Sequence, residues 1–398
     1  MPTNTSNRTP KANGRILVAV ILICLLGIGY LARQGVIDLG RFGVGINPTA
    51  AARPKPTAAA GAAPIADAPT STGDIQVFFT TPSLVYPDVP KNRTPPPYER
   101  AIIADIDAAT RSVDMATYEY NLSSVAAALV RAKQRGVKVR LALDRENLDD
   151  PAMAAWAGTV EAAKIPVSWE QTDAFLHSKF IIVDAAFVWT GSWNATNNDT
   201  YRNNNNLLRI TAPAIVANYQ AEFTQMAAGK FGTDKKPRTP NPRVTIGAVP
   251  VENYFAPKDG VSTHVIDWIS QATQSVDFLA FSFTSDDIGN AMIARQQAGL
   301  PVRGVFEKRN AQGIGSEYAR LREAKVDVFS DGNCYTMHHK VIIIDRRVVI
   351  TGSYNFTSRA ESVNDENLLI IDDPAIAKLY MDEFERVFAQ AQNPVACR

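Results

Sequence analysis

The chain has 398 residues, of which 46% are hydrophobic, and its formal net charge is +1. This length is sufficient for one large or two medium domains with a sizeable core. Residues 1–72 contain seven basic and two acidic residues, so the remaining 326 residues carry a net charge of −4. That balance argues against a long basic face that grips nucleic acid by its backbone, but it is compatible with a local basic groove.

The N-terminal region has the pattern of a membrane-targeting segment. Residues 1–15 are basic, and Ile16 to Ala32 form a 17-residue stretch without charge. We interpret 16–32 as a single-pass transmembrane anchor, with a cleaved signal peptide and secretion as the alternative. The basic residues before it favour an orientation that places the rest of the chain outside the cytoplasm. Residues 33–72 are rich in Ala, Pro and Thr and are expected to form a disordered linker.

After the linker, predicted helices and strands alternate. We expect a helix from Tyr98 to Ala109, a strand from Ser112 to Tyr118, a helix from Ser123 to Arg135 and a strand from Val137 to Asp144. The same order recurs from His264 onward. This alternation predicts an α/β fold in which helices cover a sheet, in two halves at 73–235 and 236–398.

One set of polar residues occurs twice, 161 residues apart. The copies are His177, Lys179, Asp184, Gly191, Ser192 and Asn194, and then His338, Lys340, Asp345, Gly352, Ser353 and Asn355. Six positions in register indicate an internal duplication. Each copy is predicted to be a strand hairpin, with turns at residues 185–186 and 346–347. Because residues i and i+2 of a strand share a face, each lysine should lie beside its histidine.

The repeated set suits the cleavage of a phosphodiester, which needs a nucleophile, an acid for the leaving oxygen and donors for the other oxygens. One histidine could attack phosphorus while the other protonates the departing alcohol. The expected phosphate-binding groups are Lys179, Lys340, Asn194, Asn355, Ser192 and Ser353. A lysine two residues after each histidine would repel a cation, so we expect neither a metal nor another cofactor. Cys334 and Cys397 either form a disulfide or remain two thiols.

The pattern His-x-Lys-x4-Asp-x6-Gly-Ser-x-Asn, present twice, resembles the phospholipase D superfamily over nearly all of residues 74–390. The resemblance implies two α/β halves with pseudo-twofold symmetry that present both motifs to one cleft. It also implies that His177 is the nucleophile and His338 the acid, with Asp184 and Asp345 supporting the site. Glu366 stands where the family often has a carboxylate that orients a histidine, whereas the equivalent first-half residue is Asn205.

The function that these features favour is hydrolysis of phospholipid head groups at a membrane surface. A nuclease of the same superfamily and a phosphatidyltransferase, as in cardiolipin synthesis, are the enzymatic alternatives. A catalytically inactive binding module is a further alternative. Because one chain contains both motifs, a monomer should suffice for activity.

Overall fold

The computed structural model describes residues 70–394, apart from positions 82, 84 and 238, together with residue 397. The strands of the first sheet are β1 Thr70–Thr72, β2 Ile75–Phe79, β3 Ser112–Thr117, β4 Lys138–Asp144, β5 Val167–Glu170, β6 Phe180–Val183, β7 Phe187–Gly191 and β8 Asn206–Ile210. Those of the second sheet are β9 Arg243–Ile246, β10 Val249–Ala256, β11 Val276–Ala280, β12 Val302–Phe306, β13 Asp327–Ser330, β14 Lys340–Ile344, β15 Val348–Gly352 and β16 Glu366–Asp372.

The two sheets have the same topology. The first has the order β1-β2-β8-β7-β6-β3-β4-β5, and the second has the order β9-β10-β16-β15-β14-β11-β12-β13. In the first sheet, β3 pairs in parallel with β4, as in Val113↔Val139, and antiparallel with β6 of the motif hairpin, as in Val113↔Val183. In the second sheet, β11 pairs with β12 and β14 in the same way. The expected duplication of an α/β unit is therefore confirmed.

The two helices predicted in the first half form within a few residues of their predicted bounds, at Pro97–Ala108 and Ser123–Gln134, and their counterparts recur in the second half, whereas the other described helices were not predicted. The first half contains α1 Pro97–Ala108, α2 Ser123–Gln134, α3 Pro151–Ala162, α4 Asn197–Tyr201 and α5 Pro213–Ala227. The second half contains α6 Val261–Ser270, α7 Asp286–Gln297, α8 Tyr318–Glu323, α9 Ser358–Ser362 and α10 Pro374–Gln392.

Each sheet is covered on both faces, which explains why its central strands are almost wholly apolar. Helices α1 to α3 bury residues such as Ile102 and Leu129 in a core of the first half alone, and α6 to α8 do the same in the second half. The inner faces share one core with α5 and α10, in which Phe223 and Phe384 lie with side chains from both sheets. This shared core fixes one half against the other.

Two asparagines add reciprocal hydrogen bonds between the halves. Asn206 Nδ2 donates to Thr351 Oγ1 at 2.8 Å, and Asn367 Nδ2 donates to Thr190 Oγ1 at 3.0 Å. All four side chains are buried. Because a buried amide is costly unless it is paired, these bonds select one arrangement of the two sheets.

The N-terminal predictions fall largely outside the described residues. This applies to the segments 1–15 and 16–32 and to the linker up to residue 69. The last three residues of the predicted linker form β1, whose Thr72 pairs with Ile75 across a turn in which Gly73 has φ +67°. Threonine is favoured in strands and glycine permits positive φ, so the linker ends earlier than predicted. Among the described helices, none has the length and apolar character to cross a bilayer.

Cys334 and Cys397 form a disulfide, with Cα atoms 5.4 Å apart. Of the two alternatives left open by the sequence, the structure therefore contains the bonded one. The bond ties the segment that precedes His338 to the C-terminal end of the chain.

Both motifs form hairpins, as predicted, in which Val183 pairs with Phe187 and Ile344 with Val348. The turns begin one residue earlier than expected, because the two motif aspartates adopt left-handed conformations. Asp184 has φ +54° and Asp345 has φ +55°. Aspartate tolerates this region better than most residues because its short side chain can hydrogen-bond locally.

The motif aspartates fasten these turns to the sheets. The Asp184 carboxylate accepts hydrogen bonds from the backbone N–H groups of residues 110–112 at 2.7 to 2.9 Å. Asp345 accepts equivalent bonds from residues 273–275. Burial raises the pKa of both carboxyl groups, but the hydrogen bonds outweigh it and hold each pKa below its usual value. Their role is to fix the hairpin against the preceding helix–strand connection.

We expect Asp184→Ala to destabilise the protein by about 2–4 kcal/mol, because it leaves backbone donors without their acceptor and places alanine at positive φ. Asp184→Asn should lie between alanine and the wild type. Asp382→Ala is a matched control, since Asp382 forms only an exposed pair with Lys378, and should cost less than about 0.5 kcal/mol. Denaturant unfolding measures the three values, and equal stability of Asp184→Ala and Asp382→Ala would contradict this role.

Candidate active site

The two motif histidines meet where the halves join. Isolated parallel bridges connect Leu176 with Asp365 and Met337 with Asn204, so the residue before each histidine is paired with the opposite half. The backbone N–H of His338 also donates to the carbonyl of Asn204 at 2.9 Å. Both histidines and both motif lysines are consequently buried side by side at this junction.

Each histidine is oriented by a side chain from the other half. His177 Nδ1 lies 2.8 Å from Glu366 Oε2, and His338 Nδ1 lies 2.8 Å from Asn205 Oδ1. Glu366 begins β16 of the second sheet, and Asn205 immediately precedes β8 of the first. The repeat predicted that these two positions are equivalent, but it did not show that they act crosswise. Both acceptors hold the proton on Nδ1, which leaves Nε2 of each ring free for chemistry.

The motif serines hold these acceptors in place. Ser353 Oγ donates to Glu366 Oε2 at 2.6 Å and accepts from the N–H of Asn367. Ser192 Oγ donates to Asn205 Oδ1 at 2.9 Å and accepts from the N–H of Asn206. Each hydroxyl proton is thus already used. The expectation that Ser192 and Ser353 bind phosphate is corrected: they act through the residues that orient the histidines.

The motif lysines lie beside their histidines, as predicted. Lys179 Nζ donates to the carbonyl of His177, and Lys340 Nζ donates to that of His338 at 2.8 Å. Burial lowers the pKa of Lys179 to about 8 and that of Lys340 well below its usual value, and the two ammonium groups also disfavour each other. An anion bound between them would stabilise both charges.

Both motif histidines have a pKa below the usual value of histidine. Burial lowers the pKa of His177 to about 4, although the Glu366 carboxylate acts in the opposite direction. Burial and the two lysines lower the pKa of His338 well below its usual value. A neutral imidazole with a free Nε2 is suited to nucleophilic attack, whereas the acid role requires a second proton.

The two motif asparagines differ in their surroundings. Asn194 Nδ2 donates to Asp199 Oδ2 at 2.9 Å. Asn355 borders the cavity next to His177, and its Oδ1 makes no hydrogen bond to any described residue. Of the pair, Asn355 is therefore the one that lines this cavity, whereas the amide of Asn194 is bonded to Asp199.

The motif aspartates lie away from the histidines. Five residues of extended chain separate Lys179 from Asp184, a span of about 16 Å, and the same number separates Lys340 from Asp345. Asp184 and Asp345, which the resemblance assigns to supporting the site, thus engage their carboxylates in the hairpin turns and do not contact the histidines.

A cavity of about 440 Å³ opens at His177. Aromatic rings of Tyr118, Phe175 and Phe281 line it together with hydroxyl and amide side chains. Tyr118 and Phe281 are equivalent in the repeat and pack edge-on against His177 and His338, with ring centroids 5.4 and 4.6 Å apart. Within the described part of the chain, no group of three or more His, Cys, Asp or Glu side chains is arranged to hold a metal ion.

Two acidic residues near the site were not identified from the sequence. Asp199 is buried, and its Oδ2 lies 3.6 Å from His338 Nδ1. Burial and the nearby Asp199 raise the pKa of Glu119 to about 7, while Lys179 and Lys340 lower it. The sequence signal that could have identified them is a mismatch between the two halves: Glu119 corresponds to Ser282, and Asp199 corresponds to Ala360.

The family model described as "Cardiolipin synthase, PLD-like domain" matches this chain twice, over residues 102–227 and 265–388. A mitochondrial cardiolipin hydrolase of Homo sapiens is 40% identical over 119 residues, which are 30% of this chain and 47% of that protein. A phospholipase D of Rickettsia bellii is 32% identical over 165 residues, which are 39% of this chain and 82% of that protein. The chain spans about half the length of the cardiolipin hydrolases that it matches.

A solved phosphatidylserine synthase of Haemophilus influenzae has the same fold, with a TM-score of 0.56 at 14% identity. The match covers 73% of this chain and 84% of that one. Each family match contains one complete motif hairpin and the strand that follows it. With both halves matched and both motifs brought to one site, the chain belongs to the phospholipase D superfamily.

Proposed function

We propose that this protein is a metal-independent phosphodiesterase that hydrolyses phospholipid head groups through a phosphohistidine intermediate. The observation that carries the proposal is the pair of buried imidazoles, each held at Nδ1 by the opposite half and flanked by a lysine. Two oriented Nε2 atoms provide a nucleophile and an acid, and two ammonium groups provide the charge that a phosphoryl group requires.

In the first step, His177 Nε2 attacks phosphorus. A P–N bond forms and the bond from phosphorus to the leaving oxygen breaks, while His338, protonated at Nε2, gives its proton to that oxygen. We assign the nucleophile to His177 because the Glu366 carboxylate at 2.8 Å stabilises the positive charge that develops on its ring. The neutral amide of Asn205 gives His338 no such charge.

In the second step, water attacks the phosphohistidine. His338 Nε2, now neutral, removes a proton from the water, the P–N bond breaks, and His177 returns to its starting state. Lys179 and Lys340 hold the non-bridging oxygens in both steps. Because a bound anion stabilises the charge of both lysines, they can supply the positive charge that a catalytic cation would otherwise provide, and the proposed reaction needs no metal.

The cavity favours an uncharged, hydroxylated head group over a quaternary ammonium. Aromatic rings can bind such a cation, but here each ring already faces a cation of the protein: Lys179 lies over Tyr118, Lys340 over Phe281 and Arg359 over Phe175. The remaining lining consists mainly of neutral donors, including Ser282, Thr284, Asn310, Thr357 and Ser358. The names of the relatives, cardiolipin hydrolase and phospholipase D, agree with a glycerol-type phosphodiester.

We expect the full-length protein in EDTA to release glycerol from phosphatidylglycerol vesicles about tenfold faster than choline from phosphatidylcholine vesicles. His177→Ala and His338→Ala should each reduce the rate by at least about a hundredfold. His264→Ala is a matched control that should retain activity, because His264 lies in α6, stacks on Tyr254 of β10 and does not line the cavity at His177.

Three results would contradict parts of this proposal. Loss of activity in EDTA that zinc or magnesium restores would exclude the metal-independent reaction. Cleavage of single- or double-stranded DNA without head-group release would indicate a nuclease. Formation of phosphatidylethanol in preference to phosphatidic acid when ethanol is added would indicate a transferase.

The proposal includes a membrane location, with Ile16 to Ala32 as the anchor and the enzymatic region outside the cytoplasm. The disulfide between Cys334 and Cys397 supports an oxidising compartment. We expect the full-length protein to stay with membranes through a high-salt wash, because insertion of an apolar helix is not screened by ions. Recovery of soluble protein shortened near residue 32 would instead indicate a cleaved signal peptide and secretion.

A further inference from the structure

We propose that Asp199 is a positioning residue for His338, supplying the negative charge that Asn205 cannot provide. The inference rests on the proposed function, since it concerns the histidine assigned as the acid. In this arrangement each imidazole faces one carboxylate, but the two carboxylates come from different places in the fold.

Asp199 is held rigidly beside His338. Its Oδ2 accepts from the backbone N–H of Asn194 at 2.8 Å and from Asn194 Nδ2 at 2.9 Å, and its Oδ1 accepts from Asn203 Nδ2 at 2.7 Å. Thr196 caps the short helix α4 that carries it. The 3.6 Å from Oδ2 to His338 Nδ1 is too long for a hydrogen bond but short for two charges in a buried site.

The repeat shows that this carboxylate belongs to one half only. Helix α9 is the counterpart of α4, with Thr357 as its cap, and the residue 161 positions after Asp199 is Ala360. Conversely, Glu366 of the second half corresponds to Asn205 of the first. The first half contacts His338 through an amide, and it therefore has a different carboxylate, that of Asp199, a short distance from the same ring.

The charge acts among several basic groups. Lys340 and His339 lie on the same segment as His338, Lys179 and His177 approach from the first motif, and Asn205 and Phe281 contact the ring. Glu119 interacts with Asp199 and with both lysines. A negative charge on Asp199, 3.6 Å from the ring, favours the doubly protonated form of His338 that is needed to protonate a leaving alcohol.

The test compares substrates that differ in their need for an acid. We expect Asp199→Asn to slow hydrolysis of an alkyl diester by about tenfold or more, since a one-unit fall in the pKa of the acid is a tenfold effect. Hydrolysis of a p-nitrophenyl ester, whose leaving group needs no proton, should change by less than about twofold. With the alkyl substrate, the loss of rate at high pH should begin at a lower pH than in the wild type.

Two further variants separate charge from structure. Asn203→Ala removes a hydrogen bond to Asp199 but leaves the charge of Asp199 in place. The ratio of the alkyl-diester rate to the p-nitrophenyl-ester rate should therefore stay at its wild-type value. Asn205→Glu in the Asp199→Asn background restores a carboxylate at His338 and should recover the alkyl-substrate rate. Equal slowing of both substrates by Asp199→Asn, or an unchanged pH profile, would overturn the proposal.

A measurement without substrate distinguishes this proposal from the proposed function. Nitrogen NMR of labelled histidine should show a lower pKa for His338 in Asp199→Asn than in the wild type, with His264 unchanged. If the wild-type protein cleaves no phosphodiester but this pKa shift is observed, the proposed function is contradicted and the role of Asp199 is supported. An unchanged pKa of His338 would overturn that role.

Discussion

The site depends on a crossed pair of hydrogen bonds, in which each half of the chain orients the histidine of the other. His177 is held by Glu366 and His338 by Asn205, both at 2.8 Å. Neither half alone contains a motif histidine together with the acceptor of its Nδ1, so the proposed chemistry requires both sheets. The shared core of α5 and α10 and the reciprocal bonds of Asn206 and Asn367 provide that docking. A stable interface between the two sheets is thus a condition for the correct geometry of the site.

The crossed arrangement also explains how so many charged groups remain buried. Two lysines, two histidines and the carboxylates of Glu366 and Asp199 lie close together, and each lysine is anchored by the carbonyl of its own histidine. Burial lowers the pKa of both lysines and both histidines, which disfavours the accumulation of positive charge at the site. A phosphodiester anion would reverse part of this effect, because it stabilises each cation around it. Substrate binding and protonation of the site are therefore coupled.

Much of the fold could be predicted because its signals are local. Helix and strand periodicity located the first helix–strand–helix–strand segment of each half, and the repeat of 161 residues identified the duplication and the histidine–lysine pairs. The roles that depend on distant contacts could not be predicted. The local sequence does not show that Ser192 and Ser353 donate hydrogen bonds to Asn205 and Glu366. It also does not show that the Asp184 carboxylate is bonded in a turn, because strand pairing is what brings these partners together. Comparison of the two halves at the mismatched positions of Glu119 and Asp199 was a sequence signal that remained unused.

The account makes the two histidines unequal, because a carboxylate contacts one ring and an amide contacts the other. Its most direct test is to map the covalent intermediate: the protein is quenched with acid during turnover of a phosphorus-labelled substrate and digested, and the labelled peptide is sequenced. The account predicts the label on His177, the ring bonded to Glu366. Label on His338 would show that the histidine bonded to the Glu366 carboxylate is the acid. That result would contradict the assignment on which the mechanism rests.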